Sequence, residues 1–371
     1  MQRIAVRIAQ PFQRLHPSGM TWAVVIPEAR NCLGKYLDLS TGGLQWMLDG
    51  IAPKIFEHDS VMVRVWNAKN AVALKTFPIR KAYTLAGGGL VFVGNDTTDA
   101  SAAIIRDILQ KASVVFAIVE ISFAPEIRDA PHARRLALDI AWRYAPAGVL
   151  LTTDADSYVG PNWIASRWSH IAAGYDLVCE DVRLDAQELA LLPTQVAVVG
   201  EAERAYFEAS NRLWQMWTGR PAECFAYRAS GASLAIRSDA YRRIGGLPTP
   251  RIGEDSALCE AVLAVGLKVA MTDDGDTRTS ARLLGRAHGG CGACLNARAT
   301  QNDPLCDPVL IPLTLLREWA SAVNRSPHRD CRETLTDLRA TTAPAPLPYS
   351  QVLIELEKIQ KAERELAMGH A

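Results

Sequence analysis

The sequence predicts an α/β fold: a central, mainly parallel sheet flanked by helices. Three observations carry that expectation. Short apolar runs closed by polar turn residues alternate with segments whose apolar residues recur at helical spacing, the pattern of strands joined by crossover helices. With 371 residues, 49% of them hydrophobic and 22% charged, the chain has the length and composition for a large core. Two β-rich runs within residues 51–89 break the alternation and read as an insertion in the fold.

In chain order, residues 22–26 (Trp-Ala-Val-Val-Ile) form the first expected strand, stopped by Pro27, and residues 30–50 a helix weakened by Gly42 and Gly43. Inside the insertion, residues 61–66 and 71–77 fit a hairpin across Asn67 to Asn70, with Gly87, Gly88 and Gly89 as its exit. Residues 90–93 are a second strand, 99–111 a helix and 114–121 a third strand. A helix over 130–144 opens on Ala130-Pro131, a first-turn position that tolerates proline. The fourth strand ends at Asp154. Helix 162–173, a strand near 176–183 and a long aromatic-rich helix near 198–217 follow. The second half adds strand 232–236, helix 239–244, a turn at Gly245-Gly246, helix 255–265 and strand 268–272. Residues 20–300 are read as one domain. Residues 301–371 are read as a helical tail, in which a proline-rich linker (341–348) leads to a charged helix over 351–368. That helix carries Val352, Leu353, Leu356 and Ile359 at helical spacing, which favours packing back onto the body over binding a partner.

Lys+Arg and Asp+Glu are both 40, so the net charge points to neither a nucleic acid nor a membrane surface as partner. No apolar stretch approaches the ~18 residues that a membrane span needs. The first 19 residues carry Arg3, Arg7 and Arg14 and no acid, without a signal-peptide core; a frayed end is preferred over a helix lying in peripheral contact with a membrane. The eight cysteines are scattered, with Cys291 and Cys294 the one close pair. A zinc site would want a second pair at defined spacing, so free thiols in a cytoplasmic protein are the preferred reading.

The most telling stretch is Asp154-Ala155-Asp156. It follows the apolar run 148–153 and precedes the turn-rich 157–162. Ligands of open α/β sheets bind beyond the carboxyl ends of strands. Two carboxylates there need a partner, and a hard divalent cation bridging diphosphate oxygens would serve. A structural turn network is the competing reading.

Several segments, taken in order, resemble the nucleotide-sugar glycosyltransferases of family 2, which have the GT-A fold. Val24-Val-Ile-Pro27 with Ala29-Arg30-Asn31 resembles the opening strand motif, here with Glu28 interposed. Asn95-Asp96-Thr97-Thr98-Asp99 resembles the acidic loop, in a variant without glycine. Leu150 to Asp156 resembles the metal-binding motif, Ser230-Gly231-Ala232-Ser233 the acceptor-side loop, and Gly253-Glu254-Asp255 the Glu-Asp pair that carries the base. Arg278 to Gly290 resembles a closing segment of soluble bacterial members. The matches run from about residue 90 to 295. The processive synthases' Gln-x-x-Arg-Trp motif is absent, which implies single addition.

The resemblance implies an inverting transfer of a sugar from a nucleotide-diphosphate donor to a hydroxyl acceptor, assisted by Mg2+ or Mn2+ as Lewis acid. Asp156 would hold the metal, Asp154 would assist it or touch the donor, and His288 lies where a third ligand arises, with an ordinary surface or core histidine preferred. Asp255, with Glu254, is the candidate general base; a helix-capping acid pair is its plainer reading. Asp96 would meet the nucleobase or ribose, or else stabilise an Asx turn. Arg30 would hold the base or a phosphate. Arg134 and Arg135 are second-rank diphosphate contacts, since lone arginines on helices are more often solvated, and Arg282 and Arg286, flanking Gly285, are candidate diphosphate clamps. Two alternatives stay open: a catalytically silent domain of this fold acting as a binding module, and a sugar nucleotidyltransferase, for which residues 27–35 are a loose match.

Overall fold

The sheet can be built strand by strand from a computed structural model. It describes residues 20–26, 89–95, 101–103, 105–106, 116–154, 156–160, 162–220, 228–285, 289–342 and 344–369. The expected helix at 30–50, the insertion up to residue 88, and Arg30, Asp96, Arg286 and His288 lie outside the described residues.

Strands β1 (Met20–Ile26), β2 (Gly89–Asn95) and β3 (Phe116–Ile121) precede α1 (Ala130–Tyr144). Residues 101–103 and 105–106 are helical. The bounds of α1 follow from local chemistry: the Asp129 side chain accepts from the His132 N–H at 2.9 Å, and Pro131 sits in the first turn. Next come β4 (Val149–Asp154), β5 (Ser157–Tyr158), α2 (Trp163–Ala172) and β6 (Leu177–Glu180). After β7 (Arg183–Leu184), α3 (Ala186–Leu189) and the long α4 (Thr194–Thr218), the chain returns through β8 (Leu234–Arg237), α5 (Ser238–Arg243), α6 (Glu254–Ala264), β9 (Val269–Thr272) and β10 (Arg278–Thr279). Helices α7 (Cys291–Thr300), α8 (Leu313–Arg325), α9 (Cys331–Thr341) and α10 (Tyr349–Gly369) complete it.

Seven strands form one mixed sheet in the order β3-β2-β1-β4-β8-β6-β9. The expectation of a mainly parallel sheet is corrected here. Among the described residues, β2–β3 and β6–β9 are the parallel pairs of this sheet, while β1 and β8, both interior, run against their neighbours. The parallel rule assumes one crossover helix between paired strands. Between β6 and β8 the chain instead passes through residues 184–228, so β8 is free to run in reverse.

This reversal has a useful consequence. The registers Met20↔Gly94, Thr21↔Asp154, Asn95↔Ile121, Cys179↔Leu234 and Glu180↔Thr272 place the carboxyl ends of β2, β3, β4, β6 and β9 along one edge. The amino ends of β1 and β8 join them there. Strand β4 is anchored beneath that edge, since Leu150 and Leu151 are fully buried and burying each contributes ~1.5–3 kcal/mol.

The chain divides into two compact units. One comprises Met1–Arg183, Ala229–Val262 and Leu267–Ser280; the other comprises Leu184–Arg228, Leu263–Gly266 and Ala281–Ala371. The first unit holds the sheet. In the second, the buried Glu203 of α4 pairs with Arg298 of α7 at 2.6 Å, and the Tyr206 hydroxyl donates to the Ile311 carbonyl at 2.6 Å. Helix α10 joins this helical unit through the Arg212–Glu363 pair at 2.9 Å. Among the described residues, no helix is long and apolar enough to cross a membrane.

Candidate active site

The site grows from the edge where β4 ends and β8 begins. Because these strands are antiparallel with Thr152 opposite Leu234, the loop Ser230–Ser233 must run past the tip of β4. Its Gly231 carbonyl accepts from the Thr152 hydroxyl at 2.9 Å. Helix α6 begins beside it with Glu254 and Asp255 in its first turn, where backbone N–H groups favour carboxylates.

Arg134 ties these pieces together. On α1 the buried residues Arg134, Ala137, Leu138 and Ala141 share one stripe, so helical spacing directs a guanidinium into an otherwise apolar face. Its Nη2 donates to Asp154 Oδ1 at 2.8 Å, its Nε to Glu254 Oε1 at 3.1 Å, and its Nη1 to the Gly231 carbonyl. Burial works against its charge, but Asp154 and then Glu254 outweigh that and raise its proton affinity further. Gly231 is required by close approach: a Cβ there would sit 2.3 Å from an Arg134 nitrogen.

Asp255 is the perturbed group. Its Oδ2 accepts from the Gly231 N–H at 3.1 Å and its Oδ1 from the Ser256 N–H at 2.8 Å. Burial, then the adjacent Glu254, pushes its carboxyl up to about 6, against the pull of those N–H groups and of Arg134. A carboxylate titrating there is suited to accepting a proton near neutral pH.

The sequence reading has Asp154 assist a cation or touch the donor; in the structure its Oδ1 meets the Arg134 guanidinium at 2.8 Å. Arg134, expected near a diphosphate, faces carboxylates. Arg135, on the same helix, donates to the carbonyls of Leu247 at 2.7 Å and Gly245 at 2.8 Å, holding the loop after α5. Asp156 lies just beyond β4, half-buried, with its carbonyl accepting from the Ser280 N–H at 3.2 Å. Arg282 is half-buried in the second unit. Among the described residues, no group of three or more His, Cys, Asp or Glu converges to hold a metal ion, and the Cys291–Cys294 segment is no exception. Cys179 and Cys259 are free, buried thiols with Sγ atoms 3.3 Å apart.

Sequence reasoning missed a second cluster on the same edge. Arg167 of α2 is fully buried with Trp163 and Ile164, again on an apolar stripe. It pairs with Glu180 at the end of β6 and with Asp274 at 2.9 Å. Glu180 also accepts from the Ser233 hydroxyl and from the Thr277 N–H at 2.9 Å. The legible signal for both arginines was a lone charge at an i, i+3, i+4 core position.

No family model matches the chain, and no curated protein matches it. Among solved structures, it is similar to a mannosyltransferase from Pyrobaculum calidifontis in complex with GDP-Man and Mn2+. The identity is 17%, the coverage 75% of this chain and 73% of that one, and the TM-score 0.39. A likeness of that size defines neither a family nor a substrate.

Proposed function

We propose that the chain transfers a glycosyl group from a nucleotide-diphosphate sugar to a hydroxyl acceptor, on a GT-A-like scaffold and with inversion. The observation that carries this reading is Asp255, a half-buried carboxylate held by two backbone N–H groups and raised to about 6, beside the tip of a central strand. The ordered motifs around Asp154, Gly231 and Glu254 support it.

In the reaction, an acceptor hydroxyl donates its proton to Asp255 as its oxygen bonds to the anomeric carbon. The bond from that carbon to the diphosphate oxygen breaks, and the electron pair leaves with the nucleoside diphosphate. Back-side attack inverts the centre. Arg134 keeps Glu254 and Asp154 in place beside Asp255. Among the described residues, no protein cage for a metal forms. The site residues do fit a cation carried by the donor, because Mg2+ takes one or two carboxylates and otherwise phosphate oxygens; Asp156 would be that carboxylate, and the ion would neutralise the leaving diphosphate.

Calorimetric titration with UDP-, GDP- and dTDP-sugars, with and without Mn2+, tests the reading together with assay of released nucleoside diphosphate. Metal-dependent binding with slow release in water is the expected result. The engagement of Asp154 by Arg134 favours a second reading, a binding module in which the charge cluster is structural. Binding with no turnover, at any pH or with any acceptor, would select it.

A further inference from the structure

We infer that Arg134 is a positioning residue for Asp255, acting through the backbone of Gly231. Its catalytic consequence rests on the transfer reading above; its geometry does not. The carbonyl and the N–H of Gly231 lie on either side of one Cα. The carbonyl accepts from Arg134 Nη1, and the N–H donates to Asp255 Oδ2 at 3.1 Å. The guanidinium is itself fixed by Asp154 at 2.8 Å and Glu254 at 3.1 Å. A buried cation on α1 thus orients the residue that orients the base, and a second arm holds the base's neighbour on α6.

Among the described residues, two other ionisable groups interact with Asp255, and both are acids or weak acids. Glu254 precedes it on α6, and Cys259, one turn along, is a thiol whose proton affinity Asp255 helps to raise. From α1, Arg134 is the cation acting on Asp255. Removing it therefore leaves only backbone N–H donors against burial and the repulsion of Glu254, and the charged form must become costlier. Gly231 offers an independent handle, because a methyl group there would fall 2.3–2.8 Å from three guanidinium atoms. The guanidinium is held on three sides and cannot retreat without breaking its bonds.

The experiment is a carboxyl 13C NMR titration of the full chain labelled at aspartate, with the Asp255 signal assigned by Asp255→Asn. It is run on wild type, Arg134→Met, Arg134→Lys and Gly231→Ala. Arg134→Met and Gly231→Ala are expected to move the Asp255 midpoint upward by about one unit. Arg134→Lys, which keeps the charge, should restore most of the shift. The acidic limb of kcat should move by the same amount, with the donor KM little changed. A merely structural role would lower the yield of folded protein without moving the midpoint. An unmoved midpoint in folded Arg134→Met or Gly231→Ala overturns the proposal; if Arg134→Met does not fold, Gly231→Ala and Arg134→Lys decide it. If the wild type transfers sugar to no acceptor, the transfer reading falls while the titration still judges the positioning.

Discussion

Arg134 and Arg167 begin alike: each is buried, each interrupts the apolar stripe of a helix, and each meets carboxylates at the same edge of one sheet. Their surroundings then diverge. Arg167 pairs with Glu180, which is 1% exposed and satisfied by Ser233 and Thr277. Asp274 completes that cluster; although burial raises its proton affinity, hydrogen bonds from Ser166, Thr272 and Arg167 pull it well below the usual carboxylate range. Around Arg134, three carboxylates face one guanidinium, and Asp154 is 33% exposed. The matched cluster clamps the loop at residues 272–277. The unmatched one leaves a carboxylate, Asp255, whose charge is poorly supported. Acids met by several donors each make a joint, whereas three acids around one guanidinium at a strand tip make a place for protons or cations.

The sharpest way to break this comparison is Arg167→Met. Removing one partner of a sealed pair strands a buried charge, so a loss of about 3–5 kcal/mol is expected in urea unfolding. Arg134→Met should cost less, about 1–2 kcal/mol, because its carboxylates keep some solvent. Equal costs would erase the distinction. On the catalytic side, Asp255→Asn should lower the rate of transfer by about a hundredfold or more while donor binding persists. A normal rate would remove Asp255 from the mechanism.

The same substitution should stabilise the fold. The folded-state pKa of Asp255 is raised, so its protonated form favours folding. That contribution is complete below the unfolded value near 4 and is lost as pH rises through about 6. Asp255→Asn is therefore expected to gain up to about 3 kcal/mol over wild type at pH 8 and about none at pH 4, measured by thermal or urea melts at both pH values. The smallest effect is electrostatic screening. Raising salt from 0.1 to 1 M shortens the Debye length from ~10 to ~3 Å, so the Asp255 midpoint should shift by about a few tenths of a unit. The stability difference between wild type and Arg167→Met should barely change, because that pair has no solvent path.

Much of this edge was legible in the chain. The end of β4 at Asp154 and the bounds of α1 at residues 130 and 144 match the expected ones, because apolar runs, a capping Asp129 and a first-turn proline act locally. The helix carrying Glu254 and Asp255 was likewise readable from its residues. The partners of Arg134 were not, since Asp154, Gly231 and Glu254 lie 20, 97 and 120 residues away. Nothing local distinguishes a helix arginine bound for solvent from one bound for three distant acceptors, except its place on the apolar stripe.

Strand direction was illegible for a related reason. Alternating strands and helices state that a sheet forms, but whether β8 runs with or against β4 depends on where the chain goes between them. By itself the sequence determined the elements, the acids at the tip of β4 and the head of α6, and a charge balance that favours no polyanion. Only tertiary structure decided that β1 and β8 are reversed, that Asp154 faces a guanidinium, and that the carboxyl of Asp255 is raised by burial. Periodicity and capping are written within a few residues of each other, whereas the stability of a buried charge depends on every group that folding brings near it.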